Sequence, residues 1–358
     1  MKVVHFAGFA PSRSGMYEST KDQIKYERRE GLESDFIDAL DPKGDGKKDG
    51  WLESINWREA LDADVWVQHS LLPPPLEEYL LKSPKNRKKH VIVSIMHGPV
   101  ENMLLKEWML FIRDEPDEGA FTITHIDAIW KYDACIVFNQ HEYDISILYD
   151  ENDKLIYIPN SIDLERIKPD VMEWKYRHHP AIISCDSPRI EKLPVHVLFA
   201  MPTLLKKVPD ARLNMYGLPL LHIEFFRNLM CRSKKQVLNR DCCENVQMTT
   251  HTITPFLKGA DIGFNSNYSG IMSRVHMEMM AMGVPVVSYN GDYTDYHAKI
   301  FDLNSIAEQL ARCWKDLQNS KKKLREKTIE YAHKHFNRAV YVKEYVKLYE
   351  RLKEEKNG

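Results

Sequence analysis

A chain of 358 residues is longer than one hydrophobic core usually supports, so two domains are expected. Its 50 basic and 52 acidic residues leave a formal net charge of −2, which excludes a global positive field that would attract a polyanion. No uninterrupted apolar stretch reaches the roughly 20 residues that a membrane-spanning helix needs. The six cysteines form no CxxC pair, and Met1–Phe6 leads directly into a strand without the features of a signal peptide. We therefore expect a soluble, cytoplasmic protein that meets a membrane at most at its surface.

In the first half of the chain, short β-branched or aromatic runs alternate with amphipathic helical patterns such as Thr20–Glu30 and Leu76–Lys82. Near-continuous apolar strands separated by helices indicate a parallel sheet that is covered on both faces. The strands predicted for this half are Val3–Ala7, Ser34–Leu40, Asp64–His69, His90–Met96, Ala134–Asn139 and Lys154–Ile158.

A polar segment bounded by prolines, Pro169–Pro180, interrupts this pattern and is typical of a connection between domains. A second alternating series follows, with helical stretches at Pro194–Lys207 and Ser273–Met282, and the end of the chain is helical. Two such series predict two doubly wound α/β domains, residues 1–168 and 169–336. The strands predicted for the second series are Ala181–Cys185, Ala211–Tyr216, Asn245–Thr249, Asp261–Asn265 and Val284–Ser288.

Loops that follow strands carry the unusual residues of the first domain, and in open α/β sheets ligands bind beyond the carboxyl ends of the strands. Gly8–Met16 is a loop rich in glycine and serine that leads into a helix, so the backbone near Gly15 could approach an anion closely. Chain reversal alone is the simpler interpretation of that loop. His97 stands at the end of the fourth strand, before a Gly-Pro pair, which favours a place in the site. Ile158–Asp163 fits an Asx turn.

Two cations, Arg189 and Lys192, follow the first strand of the second domain in the segment Asp186–Lys192. Cations at this point can neutralise a diphosphate. A solvated charge cluster that includes Glu191 accounts for the segment equally well.

The segment Asn265–Val287 has the pattern of a strand, a small polar loop, a helix, a glycine stop and a second strand. Glu278 lies inside this helix among apolar residues, where a carboxylate needs a partner, and sugar hydroxyls would serve. The methionines of the helix are typical of a core. The loop and the helix N-terminus would suit phosphate oxygens, through the amides of Gly270, Ile271, Met272 and Ser273.

In this order the motifs resemble those of the retaining GT-B glycosyltransferases, particularly glycosyltransferase family 4. The resemblance covers nearly the whole chain through GFAPSRSGM, DVWVQHS, IMHG, IPNSIDLERIKP, DSPRIEK and SGIMSRVHMEMMAMGVPVV. It implies GT-B architecture, in which two Rossmann-like doubly wound domains face each other across a cleft. It further implies that a C-terminal helix, here residues 337–358, packs back on the first domain.

The resemblance also implies a role for each candidate residue. Gly15 would contact the diphosphate of a nucleotide-diphosphate sugar, which is the donor substrate, and no further cofactor is expected. His97 would lie beside the transferred sugar, and Lys192 would bind the diphosphate. Glu278 corresponds to the second acid of the E-x7-E motif, which holds the nucleotide ribose.

The chain departs from the family pattern at two positions. Asp186 stands where the family has an arginine, a role in which Arg189 could substitute. Gly270 stands in place of the first acid of the E-x7-E motif, which contacts the donor sugar in relatives. These departures keep open a catalytically degenerate protein that only binds sugar nucleotides.

By resemblance, the sugar is transferred with retention to a hydroxyl acceptor, and a donor phosphate oxygen takes the acceptor's proton. We expect no metal, because Asp292 and Asp295 in GDYTDYH are typical of turn residues rather than of a metal-binding DxD motif. A saccharide, lipid or protein glycan is the favoured acceptor.

The basic run Ser83–His90 keeps two other partners open. Its cations would suit the phosphates of DNA that carries a hydroxylated base, or an acidic lipid surface. A loop before a buried strand is the simpler interpretation, so nucleic acid is not favoured. A phosphorylase or an epimerase on the same fold is a further alternative, because fold alone does not decide the reaction.

Overall fold

The computed structural model describes residues 1–7, 15–39, 52–69, 72–97, 132–138, 140, 143–144, 153–167, 173–185, 195–216, 243–246, 254–267, 272–289 and 293–358. These residues form two compact units. The first unit is Met1–Asp163 together with Asn337–Gly358, and the second is Leu164–Phe336. The first boundary thus follows Asp163, where the sequence suggested residue 168.

The first unit contains a sheet of six parallel strands in the order β2-β1-β3-β4-β5-β6. The direction in which strands are added reverses between β1 and β3, which makes this pair the topological switch point of the sheet. The strands are β1 (Lys2–Ala7), β2 (Glu33–Asp38), β3 (Val65–Gln68), β4 (Val91–Ile95), β5 (Ala134–Val137) and β6 (Leu155–Tyr157).

The second unit contains a sheet of five parallel strands in the order β11-β10-β7-β8-β9. Here the switch point lies between β7 and β10, which pair directly through Ile262 with Ile182 and Gly263 with Ile183. The strands are β7 (Ala181–Ser184), β8 (Arg212–Met215), β9 (Cys243–Val246), β10 (Ile262–Asn265) and β11 (Val286–Ser288).

Helices connect and cover the strands of both sheets. A 3-10 helix, Trp57–Asp62, precedes β3, and a second, Leu164–Arg166, opens the second unit. The α-helices of the described residues are α1 (Gly15–Arg29), α2 (Pro74–Lys82), α3 (Pro84–Lys89), α4 (Val195–Leu205), α5 (Thr254–Gly259), α6 (Arg274–Ala281), α7 (Leu303–His335) and α8 (Arg338–Asn357). None of them is both long enough and apolar enough to cross a membrane.

Both faces of the first sheet are buried, as its apolar strands predicted. On one face, Val3, Val65 and Val93 pack with Tyr345 and Tyr349 of α8. The other face is covered by a cluster that includes Phe6, Trp66, Ile92 and Leu76. The C-terminal helix is therefore part of the core of the first unit.

The basic run after α2 is a helix and not the loop expected from its composition. Ser83 caps α3 by accepting a hydrogen bond from the Lys85 N–H at 3.2 Å. Arg87 donates to both carboxylate oxygens of Asp133, at 3.1 and 3.0 Å. Lys356 also pairs with Asp133, at 2.7 Å. Part of the positive charge of this run is thus neutralised within the unit.

Two glycines allow α6 to lie tightly between β10 and β11. A Cβ at Gly263 would come within 2.9 Å of the Met279 Cε and 3.0 Å of the Val286 Cγ2, so the absence of a side chain permits the close approach. Gly283 ends the helix at φ +82°, a conformation that other residues rarely adopt. Its N–H donates to the Met280 carbonyl, and the Val284 N–H donates to the Met279 carbonyl, as in a Schellman motif.

Candidate functional site

His97 lies just beyond the carboxyl end of β4, as the sequence predicted, and it has a neighbour of the same type. His69 follows β3, the adjacent parallel strand, so the two rings emerge at the same edge of the sheet. The His69 Nδ1 and the His97 Nε2 are 2.9 Å apart. The His97 ring also meets Phe138 edge to face, with centroids 5.3 Å apart.

A hydrogen-bonded chain leads from His97 into the core. The His69 Nε2 lies 3.0 Å from the Nδ1 of His5 on β1. The Nε2 of His5 lies 2.7 Å from the Oε2 of Glu27 on α1. His5 and Glu27 have no exposed surface, and His69 is 2% exposed. This hydrogen-bonded chain of side chains therefore crosses the switch point between β1 and β3, where ligand sites of doubly wound sheets occur.

The buried Glu27 carboxylate ends the chain and is held by hydrogen-bond donors from three other residues. The Ser34 hydroxyl donates to Oε2 at 2.6 Å. Gln23 Nε2 and the Tyr349 hydroxyl donate to Oε1, at 2.9 and 3.2 Å. Such donors repay the cost of burying a carboxylate.

Burial and neighbouring charges set the protonation of this chain. Burial by itself raises the pKa of Glu27, but the charge and hydrogen bond of His5 and the donors Ser34 and Gln23 bring it below its ordinary value. Burial lowers the pKa of His69 well below its ordinary value, and charge on His97, His5 and Arg338 lowers it further. Glu27 is therefore ionised and His69 is neutral near neutral pH.

Gly15 is the first residue of α1, so its amide lies at a helix N-terminus. No described atom lies within 4 Å of the place that a Cβ would occupy at Gly15. The helix N-terminus could thus interact with an anion, as the glycine-rich loop before it suggested.

Asp163, at the end of the IPNSID segment, binds α1. Its carboxylate accepts hydrogen bonds from Lys25 at 2.5 Å and from the Tyr26 hydroxyl at 2.9 Å, and it is 2% exposed. Its own N–H donates to Asp22. Asp163 thus stabilises the first unit at the point where the chain leaves it.

In the second unit, the residues directly before α6 contact the end of β10. Asn265, at the end of β10, donates from Nδ2 to the Ser288 hydroxyl at 3.3 Å and to the Met272 sulfur at 3.6 Å. Ser273 is the N-cap of α6, and its hydroxyl pairs with the Nδ1 of His276. Met272 and Ser273, two of the predicted phosphate-binding positions, thus lie at the N-terminus of α6 and beside the end of β10.

Glu278 on α6 is paired with two arginines. Its Oε1 lies 3.0 Å from the Nε of Arg274, one turn earlier on the same helix, and 3.6 Å from a guanidinium nitrogen of Arg166. The Glu278 side chain is 17% exposed, compared with 9% for Arg274 and 38% for Arg166. The partner that its apolar helix required is thus cationic, and Glu278 keeps a solvent-exposed fraction that a ligand can reach.

Four predicted site residues lie outside the described residues: Arg189, Lys192, Gly270 and Ile271. The first two follow β7, and the other two follow β10.

Sequence reasoning missed His5, His69, Glu27 and the two arginines on Glu278. One signal for the histidines was present, because His5 interrupts an apolar strand and His69 follows a strand just as His97 does. Glu27 gave no such signal, because it is one of several charged residues in the predicted helix Thr20–Glu30, and one of its partners lies on α8, some 320 residues later in the chain.

No protein-family model matches the chain, and no curated protein sequence matches it. Solved structures resemble it in fold over almost its full length. A glycosyltransferase from Rickettsia africae is 13% identical, with a TM-score of 0.69 over 98% of both chains. The HepE protein of Anabaena, solved with UDP-glucose, is 11% identical, with a TM-score of 0.67 over 97% of this chain and 99% of that one.

An α-glucosyltransferase solved with UDP is 13% identical, with a TM-score of 0.69 over 98% of this chain and 99% of that one. The α-glucosyltransferase is also solved with UDP and a 13-mer DNA that contains an HMU base, at 12% identity, a TM-score of 0.67 and the same coverage. The chain therefore has the α/β fold of the GT-B glycosyltransferases, as its sequence predicted.

Proposed function

We propose that this protein is a glycosyltransferase that moves a sugar from a nucleotide-diphosphate sugar to a hydroxyl acceptor, with retention and without a metal. The observation that carries the proposal is the position of the candidate residues in a fold shared with glycosyltransferases from end to end. His69 lies at the switch point of one sheet, with His97 beside it at the end of the next strand, and the N-terminus of α6 follows a switch-point strand of the other.

The chemistry assigns different tasks to the two units. The bond between the sugar C1 and the diphosphate oxygen breaks, and the leaving diphosphate gains negative charge. Lys192, Arg189 and the amides of Gly270–Ser273 would stabilise that charge as it develops. A new bond forms between C1 and the acceptor oxygen on the same face, and the acceptor's proton passes to a phosphate oxygen. His97 would contact the sugar, and Glu278 the ribose.

The donor base to test first is uracil, because HepE and the α-glucosyltransferase were solved with UDP-glucose or UDP. Glu278 supports a ribose-binding role, since its exposed edge can accept hydrogen bonds from two hydroxyls while Arg274 holds the other side.

Charge neutralisation by side chains supports the metal-free mechanism. Asp62 and Asp64 do have DxD spacing, but they precede β3 and so lie at the amino edge of the sheet, opposite to His69. Asp64 accepts hydrogen bonds from the Lys2 N–H and from Lys353, both at 2.8 Å, and Lys89 lies 3.7 Å from Asp62. These carboxylates therefore stabilise the first unit through hydrogen bonds and ion pairs.

The first test is a thermal-shift screen of nucleotides and nucleotide sugars, with and without EDTA, because a ligand that binds the folded state raises the melting temperature. We expect one UDP-sugar to stabilise the protein to the same extent with EDTA. Loss of the stabilisation in EDTA would refute metal independence, and no shift with any nucleotide would favour the degenerate protein. UDP release that depends on an added acceptor then distinguishes transfer from binding alone.

Lys192→Ala tests the assignment of the diphosphate site. We expect turnover to fall about 100- to 1000-fold, the usual effect of removing one group that stabilises developing charge. Lys207→Ala is the matched control, because Lys207 is a half-exposed lysine of the same unit that pairs with Glu308. An unchanged rate and unchanged donor binding in Lys192→Ala would overturn the assignment.

DNA is the second candidate acceptor, favoured by the complex of the similar α-glucosyltransferase with DNA. The ion pair between Arg87 and Asp133 weighs against DNA as the acceptor, since it neutralises part of the positive charge of the basic run. Duplex DNA with a hydroxylated base should accept the sugar, with steep salt dependence, only if this candidate is right. Neutral glycans would show transfer that is nearly independent of salt.

A further inference from the structure

The helix α6 carries a charged pair on the face that is not buried. Arg274 and Glu278 are four residues apart, so their side chains lie on one face of the helix, and both are partly exposed. Met277, Met279 and Met280 are at most 4% exposed and fix α6 in the core of the second unit. The charged pair is therefore held on a rigid support.

Two arginines approach the same oxygen of Glu278, but at different distances and with different exposure. The Arg274 Nε lies 3.0 Å from Oε1, which is a hydrogen-bond distance, and the Arg274 side chain is 9% exposed. A guanidinium nitrogen of Arg166 lies 3.6 Å from Oε1, which is too long for a hydrogen bond, and the Arg166 side chain is 38% exposed. Of the two contacts, the one with Arg274 is the shorter and the better shielded from water.

The stability of α6 gives little reason for an arginine at position 274. Arg274 is the first residue of the helix, directly after the N-cap Ser273. The helix dipole disfavours a cation in the first turn. An ion pair four residues apart also stabilises a helix less when the cation precedes the acid. The hydrogen bond from Arg274 to Glu278 thus points to a role in orienting that carboxylate.

The two contacts differ in what their loss would cost. Arg166 is exposed enough for water to take the place of Glu278, and such exposed pairs contribute little to stability. Loss of the contact with Arg274 would separate a mostly buried guanidinium from its carboxylate, which is costly. Since a carboxylate accepts several hydrogen bonds, hydroxyl groups of a ligand can share Glu278 with Arg274 while they replace Arg166.

We infer that Arg274 is a positioning residue that holds the Glu278 carboxylate in the orientation that accepts hydrogen bonds from the ribose of the donor, and that Arg166 is the partner that the ribose displaces. The inference rests on the proposed function, in which Glu278 contacts the ribose. It assigns the ribose selectivity of the site to Arg274, which acts through Glu278.

The experiment is a calorimetric comparison of UDP, ADP and GDP with their 2′-deoxy counterparts. The two members of each pair share their base and their diphosphate, so the ratio of their affinities reports the contribution of the 2′-hydroxyl. For the base that the wild type binds, we expect the ribonucleotide to bind about 10- to 100-fold more tightly, the usual effect of one hydrogen bond to a charged group.

Arg274→Gln and Arg166→Gln form a matched pair, because each removes a guanidinium from the same carboxylate oxygen. We expect Arg274→Gln to bring the affinity ratio to within about threefold of one, since Glu278 loses its orientation. Arg166→Gln should leave the ratio within about twofold of the wild-type value. Arg312→Gln is the control for a lost charge, because Arg312 is an arginine of the same unit that donates to Gln309 and to the Asp295 carbonyl. It should leave the ratio unchanged.

A second variant keeps the test decisive if Arg274→Gln does not fold. Arg274→Lys keeps the positive charge but loses the planar guanidinium whose Nε–H donates to Glu278. The affinity ratio should fall at least about threefold in this variant. A wild-type ratio in either variant of Arg274, with folding checked by its melting temperature, would overturn the inference.

The outcomes separate this inference from the proposed function. Binding of none of the nucleotides by the wild type would refute both. Ribose-selective binding that survives in a folded Arg274→Gln would overturn the inference alone and leave the proposed function standing. A wild-type ratio near one, or a ratio lost in Arg166→Gln and kept in Arg274→Gln, would also overturn the inference.

Discussion

The two units hold their candidate residues in opposite ways. In the first, His97 is the outer end of a buried hydrogen-bonded chain through His69 and His5 to Glu27, all in the same unit. In the second, Glu278 is partly exposed and is paired with arginines that solvent also reaches. A group that must keep one orientation during a reaction benefits from a fixed, preorganised support. A group that must bind and release a nucleotide benefits from exposed partners that can be replaced by the ligand and then return.

The comparison is tested most severely by His97→Ala. Turnover should fall about 100-fold, because the ring that ends the buried hydrogen-bonded chain beside the proposed sugar site is lost. The affinity for UDP, measured by calorimetry, should stay within about twofold, since the second unit is expected to bind the nucleotide. A large loss of UDP affinity with unchanged turnover would show that the roles of the two units are reversed.

Buried histidines should also make the first unit the acid-sensitive one. Burial lowers the pKa of His90 to about 4, and the charges of Lys89 and Lys356 contribute. Because the unfolded chain binds a proton near pH 6.5 and the folded one does not, stability falls as the pH drops from about 6.5 to about 4. His90→Gln should remove this pH dependence of the free energy of unfolding, which amounts to at most about 3 kcal/mol over the whole range. The measurement is urea unfolding across this pH range, in which hydrogen exchange of peptides from the first unit reports the free energy of unfolding. If the free energy of unfolding of His90→Gln depended on pH as steeply as that of the wild type, His90 would not be the source of the acid sensitivity.

Glu278→Gln tests the second unit, where the candidate residue is partly exposed. It keeps the shape but loses the charge that holds Arg274, so the affinity for UDP should fall about 10-fold, or about 1.4 kcal/mol, while kcat changes little. Glu326→Gln is the control, because Glu326 is an exposed acid of the same unit. A fall in kcat with unchanged affinity would place Glu278 with the reacting groups instead.

The smallest expected effect comes from the packing under α6. Gly263→Ala should lower the stability of the second unit by about 1 kcal/mol, because the new methyl group must displace the flexible end of Met279. Gly15→Ala, where no described atom lies within 4 Å, is the comparison for stability. Equal melting temperatures for both variants and the wild type would show that α6 has room to move.

Much of the fold could be predicted from local pattern. Apolar runs such as Val91–Ile95 and Ala134–Val137 became strands because both faces of a parallel sheet are buried. Gly283 was predicted to stop α6 and does so through its positive φ. Composition misled at Ser83–His90, where a proline at the first helical position and a serine cap allow a helix despite the repulsion of like charges.

The sequence by itself determined the order of the strands and most of the helices along the chain, the two-unit organisation and the places where the chain leaves the carboxyl ends of the strands. These depend on the period of apolar residues and on glycine and proline, which act within a few residues. Only the tertiary structure decided which polar groups meet. His5, Glu27, His69, His97 and Tyr349 lie on or directly after five separate elements. Their contacts arise because an unpaired buried polar group is costly, and the partner can come from any sequence distance that the fold brings near.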